Sequence, residues 1–480
     1  MSKIQRLAGE TILYGLGSIV PRFLSFLLVP LHTAVFAPEE YGVITKVYAY
    51  VAVVNIVYIF GMETAYFRFA SKPGSDEKHI FNLAQTAVLA VSGLLSAVFI
   101  VFSDSIATAL SVPGRADLVI WLVCIMFIDA VAAIPFARLR LRKKAIRFAT
   151  GKLINIGILV VLNVYLLKFY PFGKPDVSLV FLANLVATGF YLIFFARELL
   201  SWRPAHDRTL SPSMYSYAYP IMLTGLAGMT NEMFSRITLE RWLPEGFYGD
   251  RSEEYALGIF GACYKLAALM NLAIQAFRYA AEPFFFSNAA EKNSPQLFAR
   301  VNHYFIIVCC FILLAVSVNL DIIKYFLADP SYWEGLHIVP MLLLAYLLLG
   351  VYYNLSVWFK VTDRTYFGTI ITFVGVFVTI AANYFLIPVA GYAGSAIAAV
   401  MCYASMTVIC YVMGQRYYPV PYQWGPGLFY IIVAVALAYG VNVVEFEHQL
   451  VATGFHIVVL LLFAACIYGI ETRRERVSRV

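Results

Sequence analysis

Four cationic side chains, Arg22, Lys46, Arg236 and Lys265, sit inside long apolar stretches, and three acids, Glu63, Asp129 and Glu232, share that setting. A charge at the middle of a helix in a bilayer costs roughly 2.5–3.5 kcal/mol on insertion scales, so each needs water, an opposite charge or a bound ion. The cations point to a pathway for something negative. The acids suit a proton or a sodium ion in transit.

Each charge also has a structural reading. Arg22 lies beside Pro21, where a proline kinks a helix, and contacts either a substrate or a structural partner. Lys46 is near the outer end of its span, so it either binds a substrate or snorkels to the headgroups. Arg236 stands one turn from both Glu232 and Glu240, and pairing along the helix neutralises it without any ligand. Lys265 has no acid one turn away. For the three acids the alternative is pairing with a nearby cation or contact with interface water. Asn55, Asn155, Asn184, Asn231, Asn271, Gln275 and Asn354 either line a cavity or hydrogen-bond between helices, and Arg68 and Arg278 read as headgroup anchors.

The elements that position these groups follow from composition. The chain has 480 residues, 61% hydrophobic and 13% charged, with a mean hydropathy of +0.77, and its apolar runs leave no room for a soluble domain of ordinary size. An all-α polytopic membrane protein is expected, with about fourteen spans: 11–36, 41–69, 81–102, 117–137, 148–167, 176–196, 213–243, 254–283, 298–320, 336–359, 365–387, 392–414, 425–443 and 450–470. Each is near or above the about 20 residues that cross the hydrocarbon. The short basic head, Lys3 and Arg6, precedes a run too long for a signal peptide, so the first helix is expected to be retained.

With a cytoplasmic N-terminus, 22 of the 35 Lys and Arg fall on inner segments, among them Arg138, Arg140, Arg142, Lys143, Lys144, Arg147, Lys292 and the tail residues Arg473, Arg474, Arg476 and Arg479. Outer loops hold only Arg115, Lys168, Lys174, Arg251 and Lys324. That asymmetry places both termini in the cytoplasm. It also accounts for much of the formal charge of +7, which is not read as nucleic-acid binding.

Other chemistry is argued against by the motifs. All seven cysteines fall in expected spans without a metal-ligand spacing, and no metal site is expected. There is no GxxxxGK[ST], hence no P-loop, and transport must be passive, ion-coupled or driven by potential. No HExxH or G-x-S-x-G appears and the loops are short, which weighs against a membrane glycan-processing enzyme.

A weak repeat divides the chain. Glu39-Glu40-Tyr41-Gly42 is echoed by Glu253-Glu254-Tyr255-Ala256 at an offset of 214 residues, and Asn163 by Asn383 at 220. Two six-helix bundles of the same orientation are expected, as in transporters whose halves are related by an axis along the membrane normal. The boundaries are 1–200 for the first lobe, 201–423 for the second, and 424–480 for two further helices and a basic tail.

These residues also carry a family resemblance. Ala37-Pro38-Glu39-Glu40-Tyr41-Gly42, Gly61-Met62-Glu63-Thr64-Ala65 with Arg68, and Tyr264-Lys265-Leu266-Ala267 through Arg278 to Glu282-Pro283-Phe284 resemble polysaccharide-exporting flippases of the multidrug/oligosaccharidyl-lipid/polysaccharide exporter superfamily. So does Asn383-Tyr384-Phe385-Leu386-Ile387-Pro388 with Gly391-Tyr392-Ala393-Gly394. The resemblance implies a MATE-like pair of lobes around a cationic cavity. It implies a flippase, not an enzyme, that moves an isoprenoid-pyrophosphate-linked oligosaccharide from the inner to the outer leaflet of a bacterial inner membrane. Arg22 and Lys265 would hold the pyrophosphate, with Arg236 and Lys46 as further contacts. Glu232, Asp129 and Glu63 would couple or gate, with Na+ or H+ as the coupling ion and no other cofactor. Membrane lipids, and a polymerase or glycosyltransferases docking on the Arg138–Arg147 run, are the other expected partners. The multidrug branch, an antiporter relying on cavity acids, is the alternative.

Overall fold

Proline and glycine punctuate the apolar runs, and the backbone breaks where they stand. The computed structural model describes residues 15, 17–110, 112–169, 171, 173–289, 291, 293–441, 444 and 448–478. Lys3, Arg6, Lys292, Arg479 and residues 11–14 of the first expected span lie outside them, as does the side chain of Arg476. Among the described residues every regular element is helical. The long helices are α1 (Gly17–Val35), α2 (Pro38–Ile59), α3 (Met62–Ala70), α4 (Glu77–Val101), α5 (Ala116–Leu141), α6 (Ala145–Lys168), α7 (Ser178–Phe194), α8 (Leu210–Trp242), α9 (Glu253–Asn288), α10 (Ser294–Val318), α11 (Val339–Leu355), α12 (Tyr366–Tyr417), α13 (Trp424–Val441) and α14 (Gln449–Ser478).

Local chemistry sets the ends that matter for the site. Pro38 opens α2 at a position where its missing N–H costs nothing, and the Ala37 N–H donates to Glu40 Oε2 at 3.0 Å. The helix stops at Phe60 and Gly61, both left-handed (φ 47° and 71°), and restarts as α3, so the expected span 41–69 is two helices. Gly61 has a second reason: a Cβ there would lie 2.4 Å from the Ala218 carbonyl oxygen. Asp76 caps α4 by accepting from the N–H groups of Lys78 and His79 at 3.0 and 3.2 Å.

Eleven helices among the described residues are long and apolar enough to cross a membrane. The fourteen expected spans differ from this set at three places. The 52-residue α12 contains two of them, 365–387 and 392–414, joined across Gly391 (φ 55°, ψ −134°) just after Pro388. At 1.5 Å per residue a straight helix of that length would run about 78 Å, far beyond a hydrocarbon core of about 30 Å. The apolar α7 has only 17 residues. The 33-residue α8 is not among the eleven, and it carries Asn231, Glu232, Arg236, Glu240 and Arg241.

Two compact units form, Met1–Arg241 with Glu245–Gly258, and Trp242–Pro244 with Ile259–Val480. In the first, α4 packs on α5, α5 and α6 pack on α7, and α2 and α3 pack across α5. Its core gathers Tyr58, Met62, Tyr66, Phe81, Ala84, Ala87, Met126, Ala130 and Ile134 together with Met214 and Ala218 of α8. The alanines allow the close helix approach on which membrane packing depends. In the second unit α11 packs on α12, and α10 packs on α11 and α13. There α14 is tied to α10 by His303 and Glu471 at 3.0 Å, while Tyr430 of α13 donates to the same carboxylate at 2.5 Å.

Candidate functional site

The intramembrane charges fall into two sets, buried pairs and exposed cations. Lys46, on the third turn of α2, is 3% exposed, and its Nζ lies 2.6 Å from Glu240 Oε2 of α8 and 3.9 Å from Glu254 Oε1 of α9. It does not reach out to the headgroups. Backbone contact brings the three together: a Cβ on Gly42 would lie 2.1 Å from the Glu254 carbonyl oxygen, and one on Gly258 would lie 1.9 Å from that of Pro38. Neither position has room for a side chain.

Arg236 and Glu232 occupy successive turns of α8, both half-buried. The Arg236 Nη1 stands 2.7 Å from Met233 Sδ, and its charge acts on the Tyr41 hydroxyl of α2. Both ends of this pairing region therefore meet α2, Arg236 at Tyr41 and Glu240 at Lys46.

Asp129 of α5 feels a charge that was not evident from sequence, that of Lys152 of α6. The lysine ammonium lies 4.1 Å from the ring centroid of Phe136 and 5.1 Å from that of Tyr191, a cation–π setting that holds it among apolar groups. Nearby, Asn184 donates to the Tyr48 hydroxyl at 3.1 Å, and the Asp129 charge acts on both Tyr48 and Tyr191. Of the other polar residues, Asn155 donates to the Ala187 carbonyl at 2.7 Å across α6 and α7. Asn163 Oδ1 accepts from His32 Nε2, 2.9 Å away on α1, while its amide nitrogen donates to the Leu159 carbonyl.

Glu63 belongs to a different constellation. It forms an ion pair with Arg140, whose guanidinium lies 4.9 Å from the Phe67 ring centroid. Alongside, Glu77 accepts from Arg138 at 2.7 Å, Arg142 at 2.5 Å and the Tyr66 hydroxyl at 2.6 Å, and Glu198 accepts from Arg147 at 2.6 Å. Much of the basic run between Arg138 and Arg147 is thus neutralised within the chain, leaving Lys143 and Lys144 exposed.

The exposed set is Arg22 and Lys265. Arg22 makes no ion pair among the described residues, and its side chain is exposed within α1. Lys265 is exposed between the buried Tyr264 and Leu266, twelve residues into α9. A planar guanidinium offers a fork of donors suited to phosphate oxygens, and an ammonium adds a point charge. Among the described residues no cluster of three or more His, Cys, Asp or Glu could hold a metal ion.

A family model described as polysaccharide biosynthesis protein matches residues 35–285, just over half of the chain. No curated protein matches. Among solved structures, the chain is similar to the lipid II flippase MurJ in an inward closed conformation, at 13% identity over 95% of this chain and 99% of that one, with a TM-score of 0.73. It is also similar to an inward-facing multidrug resistance MATE family transporter of the MOP superfamily, at 15% identity over 87% and 98%, TM-score 0.63. The outward-facing form of such a transporter gives 0.57. At these identities the likeness is one of fold. A fold of MurJ and MATE type, together with a match that runs from the end of α1 into α9, identifies this chain as a member of the polysaccharide biosynthesis protein family.

Proposed function

We propose that the protein is a flippase that carries an isoprenoid-pyrophosphate-linked oligosaccharide from the cytoplasmic to the outer leaflet of a bacterial inner membrane, for surface-polysaccharide synthesis. The observation that carries this reading is the exposure of Arg22 and Lys265 within membrane helices of a polysaccharide biosynthesis family member. A cation facing lipid there costs roughly 2.5–3.5 kcal/mol, and a water-filled path with an anionic cargo removes that cost. A pyrophosphate brings about two negative charges to such a path, where charge-assisted hydrogen bonds are strong. Arg22 on α1 offers an oriented fork of donors, and Lys265 on α9 offers a point charge.

The remaining assignments follow from pairing. Glu63 is committed to Arg140 and serves structure, whereas Asp129 faces a single lysine and is the better carrier of a coupling proton or sodium ion. The chain crosses the membrane fourteen times, counting α12 as two crossings and adding α7 and α8 to the apolar set. Both termini lie in the cytoplasm, where Lys143 and Lys144 offer charge to anionic lipid or to a synthesis enzyme.

Depletion tests the reading. Mass spectrometry of isoprenoid-linked glycans, with sidedness read by a membrane-impermeant sugar-modifying enzyme, should show a completed repeat unit accumulating on the cytoplasmic face. An active pathway with no accumulation and no redundant exporter would instead support an ion-coupled drug or small-solute antiporter.

A further inference from the structure

The join between the start of α2 and the start of α9 has a property that neither helix shows alone. Its two faces hold the two copies of the internal repeat, Glu39 to Gly42 and Glu253 to Ala256, which lie 214 residues apart. Gly42 meets the backbone of Glu254 and Gly258 meets that of Pro38, so the two helix starts touch backbone to backbone at two points. Two glycines permit backbone-to-backbone approach. Beside them, one buried lysine serves two carboxylates on α8 and α9.

That composition is poorly suited to permanent adhesion. A buried ion pair contributes little net stability compared with apolar packing of the same volume, and its best-attested uses are register and switching. Here one lysine faces two acids, and water solvates all three groups once the helices separate. Residues 245–258 group with the first unit, while the rest of α9 belongs to the second, so the helix changes allegiance directly after Gly258.

We propose that Lys46, Glu240 and Glu254 form a releasable latch that holds the start of α2 against α8 and α9. By the basic-residue sorting this is the outer end of the chain, and on the transport reading above the latch closes the exit until cargo passes. Arg236, one turn before Glu240 on α8, carries a charge that acts on Tyr41.

The test needs no cargo, so its failure is distinct from failure of the flippase reading. Ala256 is fully buried beside the latch. Full-length Ala256→Cys protein in proteoliposomes is treated with a membrane-impermeant maleimide, and modification at residue 256 is located by peptide mass spectrometry. Adding Glu240→Gln and Glu254→Gln should speed modification by about tenfold or more, the change expected when a minor open state becomes a major one. Combining Lys46→Glu with Glu240→Lys and Glu254→Lys should return it toward the slow rate. Equal rates with and without the carboxylates would overturn the latch. The fully buried Cys410 reports unfolding. If it also becomes reactive, Glu254→Gln alone, which keeps the 2.6 Å pair, is read instead: an intermediate rise supports the latch and no rise overturns it.

Discussion

The first unit holds two ionic constellations of opposite design. Around Lys46 one buried cation answers two carboxylates, with glycine contacts at the helix backbones. Around Glu77 two arginines and a tyrosine hydroxyl answer one partly exposed carboxylate, with Glu63–Arg140 and Glu198–Arg147 beside it. The redundant cluster joins α3, α4 and α5 in a way that survives loss of any one contact. The lean cluster hangs on a single cation, Lys46. Redundancy belongs where helices stay together, and a single buried pair belongs where they separate.

The contrast predicts a ranking of stability effects. Lys46→Ala removes the buried cation 2.6 Å from Glu240 and should lower stability by about 3–5 kcal/mol. In a Glu240→Gln/Glu254→Gln background the same change should cost well under half as much, measured by denaturation in detergent. Glu77→Gln should cost less, about 1–3 kcal/mol, because its partners are partly exposed and water replaces some of what is lost. A cost for Glu77→Gln equal to that of Lys46→Ala would erase the distinction.

Asp207 provides a smaller and pH-dependent effect near the redundant cluster. Its carboxylate accepts from the Leu210 N–H at 2.8 Å and from Thr209, and these bonds hold it below the usual carboxylate range. The stabilisation is fully present above the ordinary carboxylate pKa of about 3.9 and is lost as pH falls through the lower folded value. Asp207→Ala should therefore lower the melting temperature slightly at neutral pH, and the gap from the unaltered protein should close on strong acidification.

The smallest stability effect is expected for Arg22→Ala and Lys265→Ala, within about 0.5 kcal/mol as at other exposed sites. Export, by contrast, should fall severely in both. A stable variant with lost export separates cargo contacts from the latch and from the inner ion network.

The spans were legible because apolar runs of bilayer length need no tertiary information, and Pro38, Gly61 and Gly391 mark their breaks locally. The repeat was legible for the same reason, as a short register of identical types. Pairing was not. The charge of Lys152 acts on Asp129 from another helix, and Lys46 meets Glu240 across 194 residues, so each depends on helix rotation that a nearly uniform apolar run does not encode. The same uniformity hid that Arg22 is exposed on α1. Glu240 was visible one turn from Arg236, yet only the packing of α8 on α2 placed it at Lys46.

The most direct measurement is leaflet transfer in proteoliposomes by the purified protein, comparing an isoprenoid-pyrophosphate-linked glycan with the same glycan on an uncharged linker. Rapid transfer of the pyrophosphate form alone, reduced at least about tenfold in Arg22→Ala/Lys265→Ala, is the predicted result, since two charge-assisted contacts of about 1.5–3 kcal/mol each would be lost. Equal transfer of both glycans, or full activity in the double variant, would contradict a cationic path for an anionic cargo.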